Sequence, residues 1–346
     1  MKIVHVIYSF NTGGSETMLI DIMNEQVKEN DVTLIIINDS KSDSLIDNID
    51  KQVNIIYLNR KEKSRSIIPF IRLNFILWRL RPDAIHVHNE SICAVISPHV
   101  SRALFLTVHA LRVSLKHVRR AKCLFAISEA VKDDILSRGN YNVKVVPNGI
   151  NIEQIEKKEY TSAGCTEKFR IVQVARLESD KKGQDILIDA IAMLKERGRN
   201  NVYADFIGTG SSMEELLKQA QRKGVEEKIG FLGLRDRKYI YGHLKDYDLM
   251  CHPSRYEGFG LTVAEGIAAM LPVLVSDEGG PYEIINKGEL GFSFRMEDAK
   301  DCADRIEYIM DNYDEAINIT DKAYEHIKKH YSVERMVKEY IEAYKN

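Results

Sequence analysis

The sequence predicts an α/β chain built as two doubly wound, Rossmann-like parallel-sheet domains in tandem. Three observations carry this reading. At 346 residues the chain exceeds what one hydrophobic core ordinarily supports. Short β-branched apolar runs alternate with longer helical patterns, as parallel strands covered by helices on both faces require. The alternation stops over residues 151–168, a polar stretch with a Thr-Ser-Ala-Gly-Cys-Thr patch, and restarts after Lys168.

The first series places strands at 3–8, 32–37, 53–57, 84–88, 104–108, 122–127 and 143–146. The second places them at 169–174, 202–208, 228–232, 247–251, 273–276 and 291–294. The expected domains are 1–160 and 161–330, followed by a terminal segment at 331–346. Val333, Met336, Val337, Tyr340, Ile341 and Tyr344 recur there at helical spacing. Tandem domains of this kind face a central cleft, and ligands gather beyond the carboxyl ends of their strands.

Composition excludes several classes. Lys plus Arg number 49 against 51 Asp plus Glu, so the molecule as a whole is no nucleic-acid binder by charge, and any basic patch is local. The five cysteines are scattered and form no Cys-x-x-Cys pair, which argues for a reducing compartment and against zinc or a disulfide framework. The opening Met-Lys-Ile-Val-His-Val-Ile-Tyr reads as a buried strand and not a signal peptide, and no apolar run reaches bilayer-spanning length.

The segment His252 to Glu265 sets two carboxylates, Glu257 and Glu265, around a glycine turn that opens a helix. Gly258 and Gly260 leave backbone N–H groups uncovered, and the helix start near Thr262 adds its positive end, so a diphosphate fits there. A helical run from Leu261 separates the carboxylates by on the order of 10 Å, whereas a retaining glycosidase needs about 5 Å. The pair therefore suits two hydroxyl-reading groups on one long ligand. Thr262-x-x-Glu265 also reads as a capping box, which would explain that Glu alone.

Other motifs follow strand ends. Gly13-Gly14-Ser15-Glu16 is either a close approach for a phosphate or acceptor or a tight strand-to-helix turn with Ser15 as N-cap. Val145-Val146-Pro147-Asn148-Gly149-Ile150 ends the first series. Arg176 and Lys182, before Gly183, are a pair of cations that fits a diphosphate, or a solvated charged loop. His109 closes the strand Leu106-Thr107-Val108, either facing a ligand or satisfied locally. Phe231-Leu232-Gly233 and Gly279-Gly280-Pro281-Tyr282-Glu283 complete the set.

In this order the motifs resemble the family 4 glycosyltransferases of GT-B fold, with Glu257 and Glu265 as their Glu-x7-Glu motif. The resemblance covers nearly the whole chain. It implies a GT-B architecture whose C-terminal helix crosses back to the N-terminal domain. It implies a donor site of Gly14, Arg176, Lys182, Glu257, Gly258, Phe259, Gly260, Leu261, Thr262 and Glu265, with catalytic roles for Glu257, His109, Arg176 and Lys182. His109 would contact the donor sugar, Glu265 the ribose, and Glu257 the hexose, while Gly13, Ser15 and Asn148 would lie on the acceptor side. Two departures stand out: Asn151 where an acid is common, and Ala175 where Gly is common.

The remaining features are weaker. His86-Val87-His88 puts two imidazoles on one strand face, but no third ligand is visible nearby, so no metal is expected. Asp246-Tyr247-Asp248 sits at the edge of a buried strand and not on a donor loop. Gly208-Thr209-Gly210 is a lone Gly-x-Gly before a capped helix. Residues 60–81 and 112–122 set basic residues beside aromatic and aliphatic ones, which suits an anionic leaflet or a core-packed helix with a solvated basic face.

The expectation is a retaining, metal-independent hexosyltransferase or N-acetylhexosaminyltransferase. It would use a nucleotide diphosphate sugar, UDP-linked by preference, and no cofactor. The acceptor would be a hydroxyl of a glycan or lipid-linked precursor of a bacterial surface polysaccharide. The setting is cytoplasmic, with the inner face of the plasma membrane as a candidate contact and no nucleic-acid partner. A nucleotide-sugar epimerase or hydrolase, or a non-catalytic nucleotide-binding subunit, would share the architecture.

Overall fold

The computed structural model describes residues 1–11, 13–100, 103–160 and 168–346. The Thr-Ser-Ala-Gly-Cys-Thr patch and Cys165 lie outside the described residues. The chain divides into two compact units, Met1–Ile150 with Ser332–Asn346, and Asn151–Tyr331.

The first unit is built on seven parallel strands: β1 (Lys2–Ile7), β2 (Asp31–Asn38), β3 (Asn54–Arg60), β4 (Ala84–Val87), β5 (Leu104–Val108), β6 (Cys123–Ala126) and β7 (Val143–Val145). Their order is β3-β2-β1-β4-β5-β6-β7. Lys-Ile-Val-His-Val-Ile and Asp-Val-Thr-Leu-Ile-Ile-Ile-Asn are buried along almost their whole length, because both sheet faces are covered. The crossovers are α1 (Gly14–Gln26), α2 (Asp43–Ile46), α3 (Ile68–Leu80), α4 (Ile92–Val95) and α5 (Glu129–Ser137).

The second unit orders six parallel strands as β10-β9-β8-β11-β12-β13. These are β8 (Phe169–Val174), β9 (Val202–Ile207), β10 (Ile229–Gly233), β11 (Leu249–His252), β12 (Val273–Ser276) and β13 (Phe292–Phe294). Its helices are α6 (Ser179–Lys182), α7 (Gln184–Glu196), α8 (Met213–Arg222), α9 (Arg237–His243), α10 (Leu261–Ala268), α11 (Gly280–Ile284), α12 (Ala299–Asp311) and α13 (Tyr313–His330). In both sheets strand addition reverses beside the first strand, at β1/β4 and at β8/β11. That reversal opens a crevice at the carboxyl ends of those strands, where ligands of doubly wound sheets bind.

The last helix, α14 (Val333–Lys345), belongs to the first unit. Ser332 caps it by accepting from the Arg335 amide. Met336, Tyr340 and Tyr344 are buried with Ile3, Met18, Ile22, Phe105 and Phe125, each such side chain contributing about 1.5–3 kcal/mol. Gly149 is pressed against the start of this helix: a Cβ there would lie 2.5 Å from the Ser332 carbonyl oxygen.

The boundary differs from the expected 160/161, because residues 151–160 pack with the second unit. The Glu156 and Lys158 amides donate to the carbonyls of Tyr241 and Ala269, and the Lys158 ammonium pairs with Asp248 at 2.9 Å. The stretch lacks an apolar period because it is held by backbone bonds and charge.

Candidate active site

Lys182 and Glu257 meet at the β8/β11 crevice. The Lys182 Nζ lies 2.5 Å from Glu257 Oε2, and both side chains are about four-fifths buried. Local packing forces the meeting. Gly183 follows α6 with φ +66°, and a Cβ there would fall 1.9 Å from the Pro253 carbonyl oxygen, so only glycine lets the two segments touch. Gln173 donates to the Lys182 carbonyl at 2.7 Å. Arg255 forks onto Asp185 at 2.9 and 2.8 Å, and its amide donates to the Lys181 carbonyl.

Burial alone would push the Glu257 carboxyl up. His252 and Lys182 outweigh it and hold the group well below the usual carboxylate range, so it is ionised at neutral pH. The His252 Nε2 stands 3.5 Å from the same oxygen and makes no full hydrogen bond. The neighbouring Lys181 turns outward to Glu178 at 2.7 Å. That bond lowers the Glu178 carboxyl, and Arg176 and Lys182 add to it, so the three cations gather around one acid.

Arg176 is exposed on the loop after β8, and its carbonyl accepts from Gln184 at 2.9 Å. The lone Gly208-x-Gly210 underlies this loop. Cβ atoms there would lie 2.0 Å from the Ala175 carbonyl oxygen and 2.3 Å from that of Leu177. The glycines thus serve close backbone approach, a role invisible from their spacing alone.

After Glu257 the chain turns through Gly258 and Phe259 to Gly260, whose φ of +98° starts α10 with no side-chain cap. The capping-box reading of Thr262 and Glu265 therefore does not hold: the helix begins at Leu261, Thr262 is its second residue, and Glu265 accepts from the Tyr241 hydroxyl at 3.2 Å. The first amides of α10 point out of its N-terminus, a ready anion site. The Phe259 amide faces Glu257 Oε1 at 3.4 Å. Gly280 seats the turn from below, since a Cβ on it would stand 2.4 Å from the Phe259 Cα.

In the first unit Gly13 is the N-cap of α1, in extended backbone. Ser15, expected as the cap, lies inside the helix and donates to Glu16 at 2.7 Å. Gly14 is the first helical residue. Asn148, expected to face an acceptor, is buried, and its Oδ1 has no hydrogen-bond partner among the described residues. His109 ends β5 half-buried, with Nε2 3.3 Å from His88 Nδ1.

Strand order supplies the third imidazole that the sequence did not reveal. His5 on β1 lies in register with His86 on β4, and His5, His86 and His88 each offer one ring nitrogen within 4.8 Å of the others. Those nitrogens are already engaged. His5 pairs with Gln26 Oε1 at 2.7 Å and with His88 at 3.1 Å. His86 pairs with the Tyr344 hydroxyl at 2.6 Å and with Thr107 at 2.7 Å.

The basic stretch at 60–81 is not a core-packed helix with only a charged face outward. On α3, Leu73 and Leu77 are buried, whereas Ile68, Ile71, Phe75 and Trp78 are 56–70% exposed and share one helical face. Arg65, Arg72 and Arg79 are exposed beside them. In the second stretch Arg120 is structural, donating to the Ala94 carbonyl at 2.8 Å. No described helix is long and apolar enough to cross a membrane.

Known proteins resemble this chain in sequence and fold. The uncharacterized glycosyltransferase MJ1607 of Methanocaldococcus jannaschii is 28% identical over 235 residues, 64% of this chain and 59% of that protein. The poly(ribitol-phosphate) α-N-acetylglucosaminyltransferase of Staphylococcus aureus is 25% identical over 229 residues, 66% of this chain and 44% of that one. The matched stretches thus span about half the length of these curated relatives. Among solved structures, Anabaena Alr3699/HepE in complex with UDP and glucose superposes with a TM-score of 0.82 at 23% identity, over 99% of both chains. Residues 12–154 match the family model described as Glycosyltransferase Family 4, and residues 155–326 the model described as Glycosyl transferases group 1. With these two models covering its two parallel-sheet units, the chain belongs to the family 4, group 1 glycosyltransferases of GT-B fold.

Proposed function

We propose that this chain is a retaining, metal-independent glycosyltransferase that moves a hexose or N-acetylhexosamine from a nucleotide diphosphate sugar to a hydroxyl acceptor. The observation that carries the reading is the Lys182–Glu257 pair beside the uncapped start of α10. A diphosphate placed there meets the Lys182 ammonium, the Arg176 guanidinium and the amides of Phe259, Gly260 and Leu261. These groups neutralise charge as the leaving group departs, so stabilisation is electrostatic and preorganised. The acceptor hydroxyl attacks on the face that the diphosphate leaves, and a phosphate oxygen of the leaving group takes its proton. Glu257, ionised, stabilises positive character at the anomeric carbon and reads the sugar hydroxyls. Glu265 binds the ribose, and His109 is a donor-sugar contact.

UDP is the favoured nucleotide, supported by the UDP complexes of the Anabaena structure. A polymeric acceptor, read as a surface polysaccharide, is supported by the poly(ribitol-phosphate) α-N-acetylglucosaminyltransferase among the relatives. The exposed apolar face of α3, flanked by arginines, is the proposed contact with an anionic leaflet where a lipid-linked acceptor would lie.

The test compares thermal stabilisation by UDP, GDP and ADP, then measures sugar release from the stabilising donor with and without acceptors. A nucleoside diphosphate that binds the folded state raises the melting temperature. Release that needs an acceptor supports transfer. Equal release without one would make the protein a hydrolase.

A further inference from the structure

Three histidines of the first unit, His5, His88 and His109, form a directional chain that ends at His109. Its links are Gln26 Oε1 to His5 Nε2 at 2.7 Å, His5 Nδ1 to His88 Nε2 at 3.1 Å, and His88 Nδ1 to His109 Nε2 at 3.3 Å. Gln26, His5 and His88 are buried, and only His109 reaches partial exposure. Burial lowers His5 and His109 to about 4 and His88 well below 6.5, so each ring is neutral at pH 7 and carries one N–H and one lone pair.

Neutral rings linked through both nitrogens must all point the same way. The Gln26 carbonyl oxygen only accepts, so His5 donates to it from Nε2 and its Nδ1 keeps the lone pair. His88 must then donate from Nε2 to His5, and His109 from Nε2 to His88. We propose that Gln26 is a positioning residue that fixes His109 as its Nε2–H tautomer, leaving Nδ1 as a lone-pair acceptor at the open end of β5. A sugar hydroxyl donates to such a nitrogen, whereas the opposite tautomer would itself donate to the hydroxyl oxygen and reverse the bond. The Tyr344 hydroxyl pairs with His86 Nδ1 at 2.6 Å, and Gln26 Nε2 makes no hydrogen bond among the described residues.

The tautomer can be read without any substrate, so its test is separate from that of the proposed reaction; only its bearing on turnover rests on His109 being a donor contact. Long-range 1H–15N correlation spectra of the full-length protein, labelled with 15N-histidine and assigned by His→Gln variants, distinguish protonated from bare ring nitrogens. The expected wild-type result is His109 protonated at Nε2. Gln26→Met removes the acceptor and gives mixed tautomers at His5, His88 and His109, and Gln26→Glu restores them. With a nucleotide sugar, Gln26→Met lowers kcat by on the order of tenfold with KM little changed, the scale of outer hydrogen-bond partners. If Gln26→Met does not fold, His5→Gln breaks the next link with the same readouts. His109 protonated at Nδ1 in the wild type, tautomers unmoved by Gln26→Met, or stoichiometric metal in the purified protein would overturn the proposal. Shifted tautomers with unchanged kcat would overturn the positioning role.

Discussion

The ammonium of Lys182 sits 2.5 Å from one oxygen of Glu257, while the other oxygen faces the Phe259 amide at 3.4 Å. In the free protein this carboxylate therefore occupies the donors proposed for the diphosphate. Glu257→Gln should free them: UDP affinity, measured by calorimetry, holds or rises while transfer falls on the order of a hundredfold or more. Lys182→Ala should weaken both. Loss of UDP affinity in Glu257→Gln would contradict the shared-donor picture.

Gly183 and Gly198 both have positive φ, but only Gly183 lies against backbone. Gly198→Ala should cost about 1–2 kcal/mol from conformation alone. Gly183→Ala adds a clash with the Pro253 carbonyl and should exceed that cost in denaturant unfolding, with Lys182 and Glu257 displaced and transfer reduced. Equal losses in the two variants would show that the contact between the segments yields freely.

Acid should destabilise the first unit through its buried imidazoles. His5 and His109 titrate near 4 in the folded state against 6.5 when unfolded. The unfolded chain thus binds more protons between those values, and the stability from the neutral rings is present above 6.5 and lost as pH falls toward 4. The melting temperature should drop between about pH 7 and pH 5, and His5→Gln should flatten that slope. A melting temperature constant over this interval would refute neutral burial.

Phe75 and Trp78 lie side by side on the open face of α3, their ring centroids 5.9 Å apart and their planes tilted by 33°. Co-sedimentation with anionic vesicles at low salt should fall sharply in Phe75→Ser with Trp78→Ser, and should weaken for the wild type as salt rises. Soluble-acceptor turnover should stay unchanged in that double variant. Binding equal to wild type would remove the membrane role.

What could be read from the residues follows their range of interaction. All thirteen expected strands form, because a run such as Leu-Ile-Ile-Ile has nowhere to go but a doubly covered sheet. Lys182 and Glu257 were legible as motif members. Their direct pairing was not, since it depends on Gly183 resting on Pro253. His5 stands 81 residues from His86 and joins it only through the reversal of strand order at β1/β4. Ser15 misled because a glycine before it already supplies the extended backbone that starts α1. The exposure of Phe75 and Trp78 was hidden too, because an apolar stripe looks the same whether a neighbour covers it or not.

The ownership of α14 by the first sheet dictates an order of assembly. Residues 151–331 are contiguous and can close as soon as they leave the ribosome, but strands β1 and β5 must wait with bare flanks until Met336, Tyr340 and Tyr344 emerge. The amino-terminal half is thus made first and finished last, and throughout synthesis it is the half that chaperones would have to shield.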